Sequence, residues 1–341
     1  NIPDMVNILE YHGLQIVPVD LDLETLEITD NALENAITPK TRIVLVAHLF
    51  GARASMSPIF NVTNQHPDIL VAEDCAQAFT GVDGYLGDDR SDISLFSFGP
   101  IKTATALGGA MLRIQSPVQR KAVRGKLEKH PLQTHTYFAR KTLKYTLLKT
   151  LTLRPIYGLF IKACQLLDKD FDEIIISSVR GFNSKNLISL IRHQPCYAQL
   201  LLLKHRLAQQ TSKSLNQRLQ IGDHLNQMLP KRLQPAGGRN PQHSWWLFAV
   251  SVTNSKALVE ELREAGFDAT SSSTQLCAMP GKNGAAPWCE KYMQGTVYLP
   301  IYEGIKEADL DRVASILHEH PPSICPEPEQ EPSLVSSSSY H

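Results

Sequence analysis

The sequence predicts an α/β fold built on a mainly parallel sheet. Short apolar, β-branched runs at residues 14–19 and 42–48 are typical of strands that are buried on both faces. Further strands are predicted at 69–72, 93–98 and 109–114. Helix-like segments separate these strands, and the alternation indicates a parallel sheet with helices on both faces.

The intervening segments carry the helix signals that this fold requires. A first helix is predicted at 2–11, and the segment T-D-N-A-L-E-N-A-I (29–37) offers Thr29 or Asp30 as an N-cap. A long helical stretch is predicted at about 195–228. Within it, leucines recur at the three-four spacing that forms one apolar helix face: Leu200, Leu203 and Leu207.

The C-terminal part predicts a second, smaller domain of α+β type. It follows the strongest linker signal in the chain, Q-P-A-G-G-R-N-P at 234–241. Strands and helices are then predicted as strand 245–252, helix 255–266, strand 296–300 and helix 307–317. Residues 321–341 hold five prolines, three glutamates and a serine run, a composition that predicts a disordered tail.

With 341 residues, of which 43% are hydrophobic, the chain is long enough for two domains with buried cores. The predicted organisation has five parts: a large domain at 1–115, a basic, aromatic-containing insertion at 116–180, a helical connection at 181–235, the small domain at 236–320 and the tail at 321–341. Within the insertion, Pro155 and Gly158 are expected to break any single helix.

The net charge of zero conceals a strongly basic segment. The chain holds 34 basic and 34 acidic side chains, a balance that argues against nucleic-acid binding through bulk charge. Between residues 120 and 162, however, eleven Lys or Arg stand against one acid, Glu128, a net of +10 that the rest of the chain balances with −10. Three interpretations stay open, in this order: a solvated helical face, attraction of an anionic substrate, and peripheral contact with an anionic membrane. A helical wheel of 137–151 scatters the lysines among the leucines, which counts against a simple interfacial helix.

Cysteine usage and the lack of targeting signals predict a cytoplasmic protein. The six cysteines form no Cys-x-x-Cys pair and no regular spacing, so neither a metal site nor a disulfide framework is predicted. There is no charged-then-apolar leader and no apolar run long enough to span a bilayer. The first residue is Asn1 rather than Met, so we expect a fragment that lacks its beginning.

Side chains that carry chemistry concentrate between residues 71 and 109. Glu73 and Asp74 close one predicted strand, Ser97 closes the next, and a Gly-Pro turn, Lys102 and a glycine pair follow. In an open α/β sheet, ligands bind outside the carboxyl ends of the strands. An acid for a ring nitrogen, a hydroxyl for a phosphate and a lysine on a constrained loop are the groups needed to hold pyridoxal phosphate.

These residues lie in segments that resemble the sugar aminotransferases of the DegT/DnrJ/EryC1/StrS family, which are fold-type-I pyridoxal phosphate enzymes with an aspartate aminotransferase-like large domain. The resemblance covers nearly all of residues 1–114 and, more weakly, 195–320. The matching segments are V-D-L-D-L-E-T-L-E-I (19–28), H-L-F-G (48–51), E-D-C-A-Q-A (73–78), S-F-G-P-I-K (97–102) with G-G-A (108–110), and Y-L-P-I-Y (298–302).

The resemblance implies a role for each matching residue. Lys102 would form a Schiff base with pyridoxal 5'-phosphate and shuttle the proton of the reaction. Asp74 would pair with the pyridinium nitrogen, Gln77 would lie near the phenolic oxygen of the cofactor, and Ser97 would bind its phosphate. The family also supplies an Asn from the neighbouring subunit, which here matches Asn183 in G-F-N (181–183). The alternative phosphate contact is Arg192, in I-R-H-Q-P.

The activity that the resemblance implies is transfer of an amino group to a keto sugar. The donor would be an amino acid, usually glutamate, and the sugar would be nucleotide-linked, for polysaccharide or secondary-metabolite synthesis. The protein would be a homodimer. The alternative is a non-catalytic relative in which the fold persists as a binding or scaffold protein.

Four neighbours of these motifs are predicted to have structural roles. His48 is expected to be a core or second-layer histidine, and Cys75 a small buried hydrophobe. Trp245 and Trp246 are expected to pack in the sheet of the small domain.

Overall fold

The computed structural model describes residues 1–167, 187–209, 212–271, 276–279 and 286–324, and within them the main sheet has four strands. These are β1 (Ile43–Ala47), β2 (Leu70–Asp74), β3 (Ile93–Ser97) and β4 (Ala110–Ile114), which lie in that order across the sheet. β1, β2 and β3 are parallel, and β4 pairs antiparallel with β3 at the edge. The sheet is therefore mixed but mainly parallel, as the sequence predicts.

Helices lie before, between and after the strands. The first three are α1 (Pro3–Tyr11), α2 (Asp30–Ala36) and α3 (Ser57–Thr63). The central region contains α4 (Pro117–Leu127), α5 (His135–Leu151), α6 (Arg154–Leu166), α7 (Leu187–Ile191), α8 (Tyr197–Gln209) and α9 (Ser212–Met228). The C-terminal part contains β5 (Phe248–Ser251), α10 (Ser255–Glu264), α11 (Pro287–Gln294), β6 (Thr296–Leu299) and α12 (Glu307–His318). Within the described ranges, no helix combines the length and the apolar character needed to cross a bilayer.

One face of the main sheet packs closely against helices. Val44 and Val71 share a hydrophobic cluster with Ile59 of α3, and Phe96 shares another with the half-buried Leu203 of α8. The opposite face carries side chains that are only half-buried: Leu45, Leu70 and Leu95. The sequence predicts helices on both faces of the sheet. Among the described residues, side chains on the first face are more fully buried than those on the opposite face.

Two sequence predictions about individual elements are wrong. Residues 14–19 form no strand, because an apolar, β-branched run needs a partner strand and none of the described residues pairs with it. The leucine face of α8 is rotated from its predicted position. Leu203 and Leu207 face the sheet, but Leu200 is 48% exposed because Gln199, 4% exposed, takes the inward position.

The described part of the predicted insertion is helical. α5 ends at Leu151 and α6 begins at Arg154, so the break precedes Pro155, which a helix tolerates in its first turn. Gly158 lies inside α6 and does not interrupt it, against the prediction. One glycine in a helix interior costs only about 1 kcal/mol relative to alanine, which is too little to end a helix by itself.

The C-terminal part forms the predicted α+β arrangement. β5 and β6 pair antiparallel, and their inner faces share a core with α10 and α12, to which Leu258, Leu262, Val313 and Leu317 contribute. The chain then continues along β5 at the start of the predicted tail, where Ser323 N donates to Ser251 O at 3.1 Å. Residues 325–341 lie outside the described residues.

The predicted linker at 234–241 is a packed turn rather than a free connection. Ala236 N donates to Ala249 O at 2.9 Å, and Gly237 N donates to Leu23 O at 3.0 Å. Asn240 is buried, and its Nδ2 donates to Thr25 O at 2.6 Å. The turn therefore ties β5 to the segment that precedes α2.

The segment that follows this turn contacts the loop after β1. Gly51, with φ of +104°, lies so close to it that an added Cβ would be 2.5 Å from Trp246 N and 2.7 Å from Ser244 Oγ. Ser244 N in turn donates to Gly51 O at 2.8 Å. Only glycine allows both this backbone conformation and this approach.

His243, at the centre of this contact, is buried as a neutral imidazole. Its Nδ1 accepts from Trp245 N at 2.9 Å, so Nε2 carries the proton that is shared with Ala236 O at 3.2 Å. The ring stacks on Trp245 with centroids 3.9 Å apart. Burial lowers the pKa of His243 from 6.5 to about 4, and the nearby Arg218 charge adds to this effect.

The His243 pKa predicts a loss of stability in mild acid. Between pH 6.5 and about 4, the unfolded chain binds a proton that the folded chain does not. Above pH 6.5 protonation of His243 takes nothing from the free energy of unfolding. As the pH falls towards 4, that free energy decreases by about 3 kcal/mol, at about 1.4 kcal/mol per pKa unit. Urea unfolding of the wild type and of His243→Gln across this range should show a shallower pH dependence for the variant; equal slopes would contradict the assignment.

Candidate active site

Two of the predicted site residues close neighbouring parallel strands. Asp74 is the last residue of β2 and Ser97 the last of β3. Asp74 lies opposite Leu95, and Ser97, two residues further along β3, belongs to the same face of the sheet. Asp74 is half-buried, and its Oδ1 accepts a hydrogen bond from Ala76 N at 2.9 Å. Both side chains thus lie at the carboxyl edge, where ligands bind in this class of sheet.

The turn after β3 brings Lys102 back beside Ser97. Lys102 N donates to Gly99 O at 3.1 Å, and Gly108 N closes the loop by donating to Phe98 O at 2.8 Å. A Cβ on Gly99 would lie 3.8 Å from Lys102 Cγ and 3.9 Å from Ser97 Oγ. The amine-bearing and hydroxyl-bearing side chains therefore flank the same point of the turn.

The Lys102 ammonium group lies on the ring of Trp246. Its Nζ is 4.4 Å from the ring centroid, which is within the range of a cation–π contact. Burial lowers the pKa of Lys102 below its ordinary value, and the negative charge of Asp74 partly opposes this decrease. The neutral, nucleophilic amine is therefore more populated at neutral pH than it is in an exposed lysine.

Gln77 is held in place by the loop after β1. Its Oε1 accepts a hydrogen bond from Phe50 N at 2.7 Å, and the side chain is half-buried. Because the oxygen is engaged by the backbone, the NH2 group is the part of the amide that can donate to a ligand oxygen. Phe50 has φ of +56°, an uncommon conformation for a residue other than glycine, and its N–H bond to Gln77 belongs to that turn.

Glu73, on the other face of β2 from Asp74, is surrounded by hydrogen-bond donors. Oε1 accepts from Asp88 N at 2.9 Å and from Ser94 Oγ at 3.3 Å. Oε2 accepts from His48 Nε2 at 2.9 Å and from the Tyr85 hydroxyl. Burial acts to raise the pKa of Glu73, but these hydrogen bonds, led by that of His48, outweigh it and hold the pKa below its ordinary value. The buried carboxylate therefore stays ionised and fixes the end of β2.

His48 is the buried histidine that the sequence predicts. Its Nδ1 accepts from Ala54 N at 3.1 Å, so the proton lies on Nε2 and points at Glu73. Possible ligand atoms of His48, Glu73 and Cys75 lie within 4.8 Å of one another. The Glu73 oxygens are nevertheless occupied by protein donors, and burial raises the pKa of the Cys75 thiol. His48 and Glu73 therefore form a buried hydrogen-bonded pair beneath the site, and Cys75 lies buried beside them.

Of the two remaining candidates, Arg192 lies apart from this group. Arg192 is exposed, and its guanidinium lies over the ring of Tyr11 in α1 at 5.4 Å from the centroid. Among the described residues it has no hydrogen bond or ion pair with Asp74, Ser97 or Lys102. Asn183 lies outside the described residues.

Trp246 is the site residue that the sequence reasoning missed. Trp245 packs in the core as predicted, since it stacks on Phe248 with centroids 5.0 Å apart and donates from Nε1 to Asp223 at 2.7 Å. Trp246 instead turns towards Lys102. Trp245 has a φ of +48°, so the backbone turns at this residue and the two rings meet different surroundings.

The lowered pKa of Lys102 predicts that this lysine costs stability in the absence of cofactor. At a pH below the lowered pKa of Lys102 in the folded chain, burial of the charged amine decreases the free energy of unfolding by its full amount. As the pH rises towards 10.5, the folded chain loses this proton before the unfolded chain does, and the decrease disappears. After removal of any bound cofactor with hydroxylamine, Lys102→Met should unfold at higher urea concentration than the wild type at pH 7. The difference should narrow at alkaline pH. The exposed Lys40→Met serves as control, and a Lys102→Met variant that is less stable at neutral pH would contradict the prediction.

Three comparisons bear on this site. The sequence model of the DegT/DnrJ/EryC1/StrS aminotransferase family matches residues 5–147 and 173–318. A GDP-perosamine synthase from Escherichia coli O157:H7 is 35% identical over 108 residues, 31% of this chain and 29% of that protein. A UDP-N-acetyl-3-dehydro-alpha-D-glucosamine 3-aminotransferase from Acidithiobacillus ferrooxidans is 35% identical over 114 residues, 33% of this chain and 31% of that protein. The matched segments thus span less than a third of either relative.

A solved structure shares the fold over most of the chain. The aminotransferase TlmJ from Streptoalloteichus hindustanus superimposes with a TM-score of 0.62 at 18% identity, covering 94% of this chain and 76% of TlmJ. At this identity the likeness concerns the fold, and the family model carries the assignment. Because that model matches most of the sequence on both sides of a gap at 148–172, the chain belongs to the DegT/DnrJ/EryC1/StrS aminotransferase family.

Proposed function

We propose that this chain is a pyridoxal phosphate-dependent aminotransferase that acts on a nucleotide-linked keto sugar. The observation that carries the proposal is the Lys102 amine, which lies on the Trp246 ring and is close enough to Asp74 for the carboxylate to affect its pKa. The Lys102 side chain and the Ser97 hydroxyl flank Gly99 in the same turn. An ordinary surface lysine would have neither the lowered pKa nor this acid at a strand end. Family membership supports the same conclusion.

The donor set fits pyridoxal phosphate. Lys102 would hold the aldehyde carbon, Asp74 the ring N–H, and Ser97 the phosphate, while the Gln77 NH2 group would donate to the phenolic oxygen. The Trp246 ring adds an apolar wall that excludes water from the amine. When bound, the cofactor withdraws electrons from the carbon that bears the amino group, so that this carbon can lose a proton.

Residues of the chain would then accept and transfer that proton. Lys102 Nζ, which burial favours in its neutral form, would accept the proton from one carbon and return it to another. The Asp74 carboxylate, oriented by Ala76 N, would keep the ring nitrogen protonated and so maintain electron withdrawal. Over a full cycle, an amino acid becomes a 2-oxo acid and the keto sugar becomes an amino sugar.

The substrate class is inferred from the relatives. One has a GDP-linked sugar in its name, and the other a UDP-linked sugar with a dehydro position, the oxidised carbon that can accept an amine. We include glutamate as donor, a homodimeric assembly, and a role in polysaccharide or secondary-metabolite synthesis in the proposal. Sedimentation equilibrium would test the homodimer.

Lys102→Ala should abolish cofactor attachment. The wild type, supplied with pyridoxal phosphate, should show the visible absorbance of lysine-bound cofactor, and borohydride should trap the label on the Lys102 peptide. The variant should lose both signals because no amine remains to hold the aldehyde. Lys40→Ala, at an exposed lysine between α2 and β1, is the control and should keep both signals. A colourless wild type in excess cofactor would instead favour the non-catalytic alternative.

The donor can be tested in the first half of the cycle. L-glutamate, added alone to the cofactor-loaded protein, should remove the visible absorbance and release one equivalent of 2-oxoglutarate per site. L-glutamine differs from glutamate in lacking the side-chain charge, so the ratio of the two rates measures how far the site recognises that charge. Faster reaction with glutamine would overturn the assignment of glutamate and leave the aminotransferase proposal intact.

A further inference from the structure

The outer face of α6 is an apolar stripe that faces water. Ile156, Leu159, Ala163 and Leu166 follow one another at three-four spacing and are all exposed, Leu159 to 71% and Leu166 to 88%. The inner face is also apolar, with Phe160 half-buried and Cys164 buried. A surface helix normally presents polar residues to water, so this outer stripe indicates a contact surface.

Neighbouring residues of α5 extend the apolar surface and surround it with positive charge. α5 contacts α6, and its Leu143 and Leu147 are 60% and 62% exposed. The exposed cations of the two helices are Arg140, Lys144, Lys149 and Lys162. No Asp or Glu occurs anywhere in residues 129–167. We call the exposed residues of α5 and α6 the α5–α6 surface.

This surface lies partly outside the region that the family shares. The family match is interrupted at 148–172, and α6 falls entirely within the interruption. The family match extends to residue 147 and so includes α4 and most of α5. The apolar stripe of α6 thus lies in a part of the chain that the family model does not match, and the candidate site residues do not account for it.

We propose that the α5–α6 surface binds an anionic lipid membrane. Exposed leucines among lysines and arginines, without acids, complement a surface of negatively charged headgroups over an apolar interior. α6 has 13 residues, hence a length of about 20 Å, which is too short to span a hydrocarbon core of about 30 Å. The helix would therefore lie in the interface, with Leu159 and Leu166 inserted among the acyl chains and the lysines at headgroup level.

Charge favours a membrane over a second copy of the chain. In a two-fold contact in which this surface packs against its own copy, the cations of one copy would face those of the other. The segment 120–162 has a net charge of +10, and no acids in α5 or α6 would offset the repulsion. An anionic bilayer supplies the missing opposite charge. The wheel of 137–151 did not suggest this arrangement because the continuous apolar stripe belongs to α6.

Binding to vesicles tests the proposal. The cofactor-loaded protein should co-sediment with vesicles of phosphatidylcholine and phosphatidylserine, much less with phosphatidylcholine alone, and should be released by high salt. The double variant Leu159→Glu with Leu166→Glu should reduce the affinity at least tenfold, because two acids would have to enter the interface. Each of Lys144→Gln, Lys149→Gln and Lys162→Gln should reduce it about fivefold.

Controls separate this result from misfolding and self-association. Val82→Glu, at a hydrophobic residue 49% exposed elsewhere on the surface, should bind vesicles like the wild type. All variants should keep the visible absorbance of bound cofactor, which shows that the fold is intact. The proposal would be overturned if the wild-type protein does not bind phosphatidylserine vesicles. It would also be overturned if the double leucine variant binds them as tightly as the wild type does. Vesicle-independent self-association that the leucine variant abolishes would overturn it too, since that result assigns the surface to a second copy.

Discussion

The close approach of the segment 243–246 to Gly51 is the contact on which the candidate site depends. Gly51 belongs to the loop after β1 of the main sheet, and Trp246 precedes β5 of the C-terminal part. With no side chain at Gly51, the two backbones exchange hydrogen bonds, and the Trp246 ring comes to rest on Lys102. The site is therefore formed from both parts of the chain, and the aromatic ring against Lys102 comes from the part that contains no other candidate residue.

The two acids at the end of β2 have different roles: Glu73 stabilises the fold, and Asp74 is available to a ligand. Because successive side chains alternate between faces, Glu73 and Asp74 meet different surroundings. Glu73 is saturated by His48, Tyr85 and backbone donors, and its ionised state is fixed by the fold. Asp74 is only half-buried and retains capacity to accept a further hydrogen bond. A fully satisfied carboxylate thus holds the strand rigid while its neighbour is available to a ligand.

The basic segment has a different physical character from the rest of the chain. In the main sheet and the C-terminal part, many large apolar side chains are gathered into clusters such as that of Trp245, Phe248 and Leu258. Along α5 and α6, leucines remain exposed among cations. The free energy that would come from burying them is not gained within the described fold, so it is available for binding a partner.

The sequence by itself determined the four strands of the main sheet and a helix cap at Thr29 or Asp30, because these follow from short-range periodicity and capping preference. It also predicted that Asp74 and Ser97 end neighbouring strands, whereas Gln77 was identified from the family resemblance. It did not determine the state of residues 14–19, because a strand exists only with a partner whose position depends on the whole fold. The turn at 234–241 has the composition of a flexible linker, yet contacts with residues 23–25 fix it. Likewise, only tertiary structure decided that Trp246 rather than Trp245 reaches Lys102, since adjacent identical residues are distinguished by what packs against each face. Burial and long-range contacts are properties of the folded chain, and no local pattern encodes them.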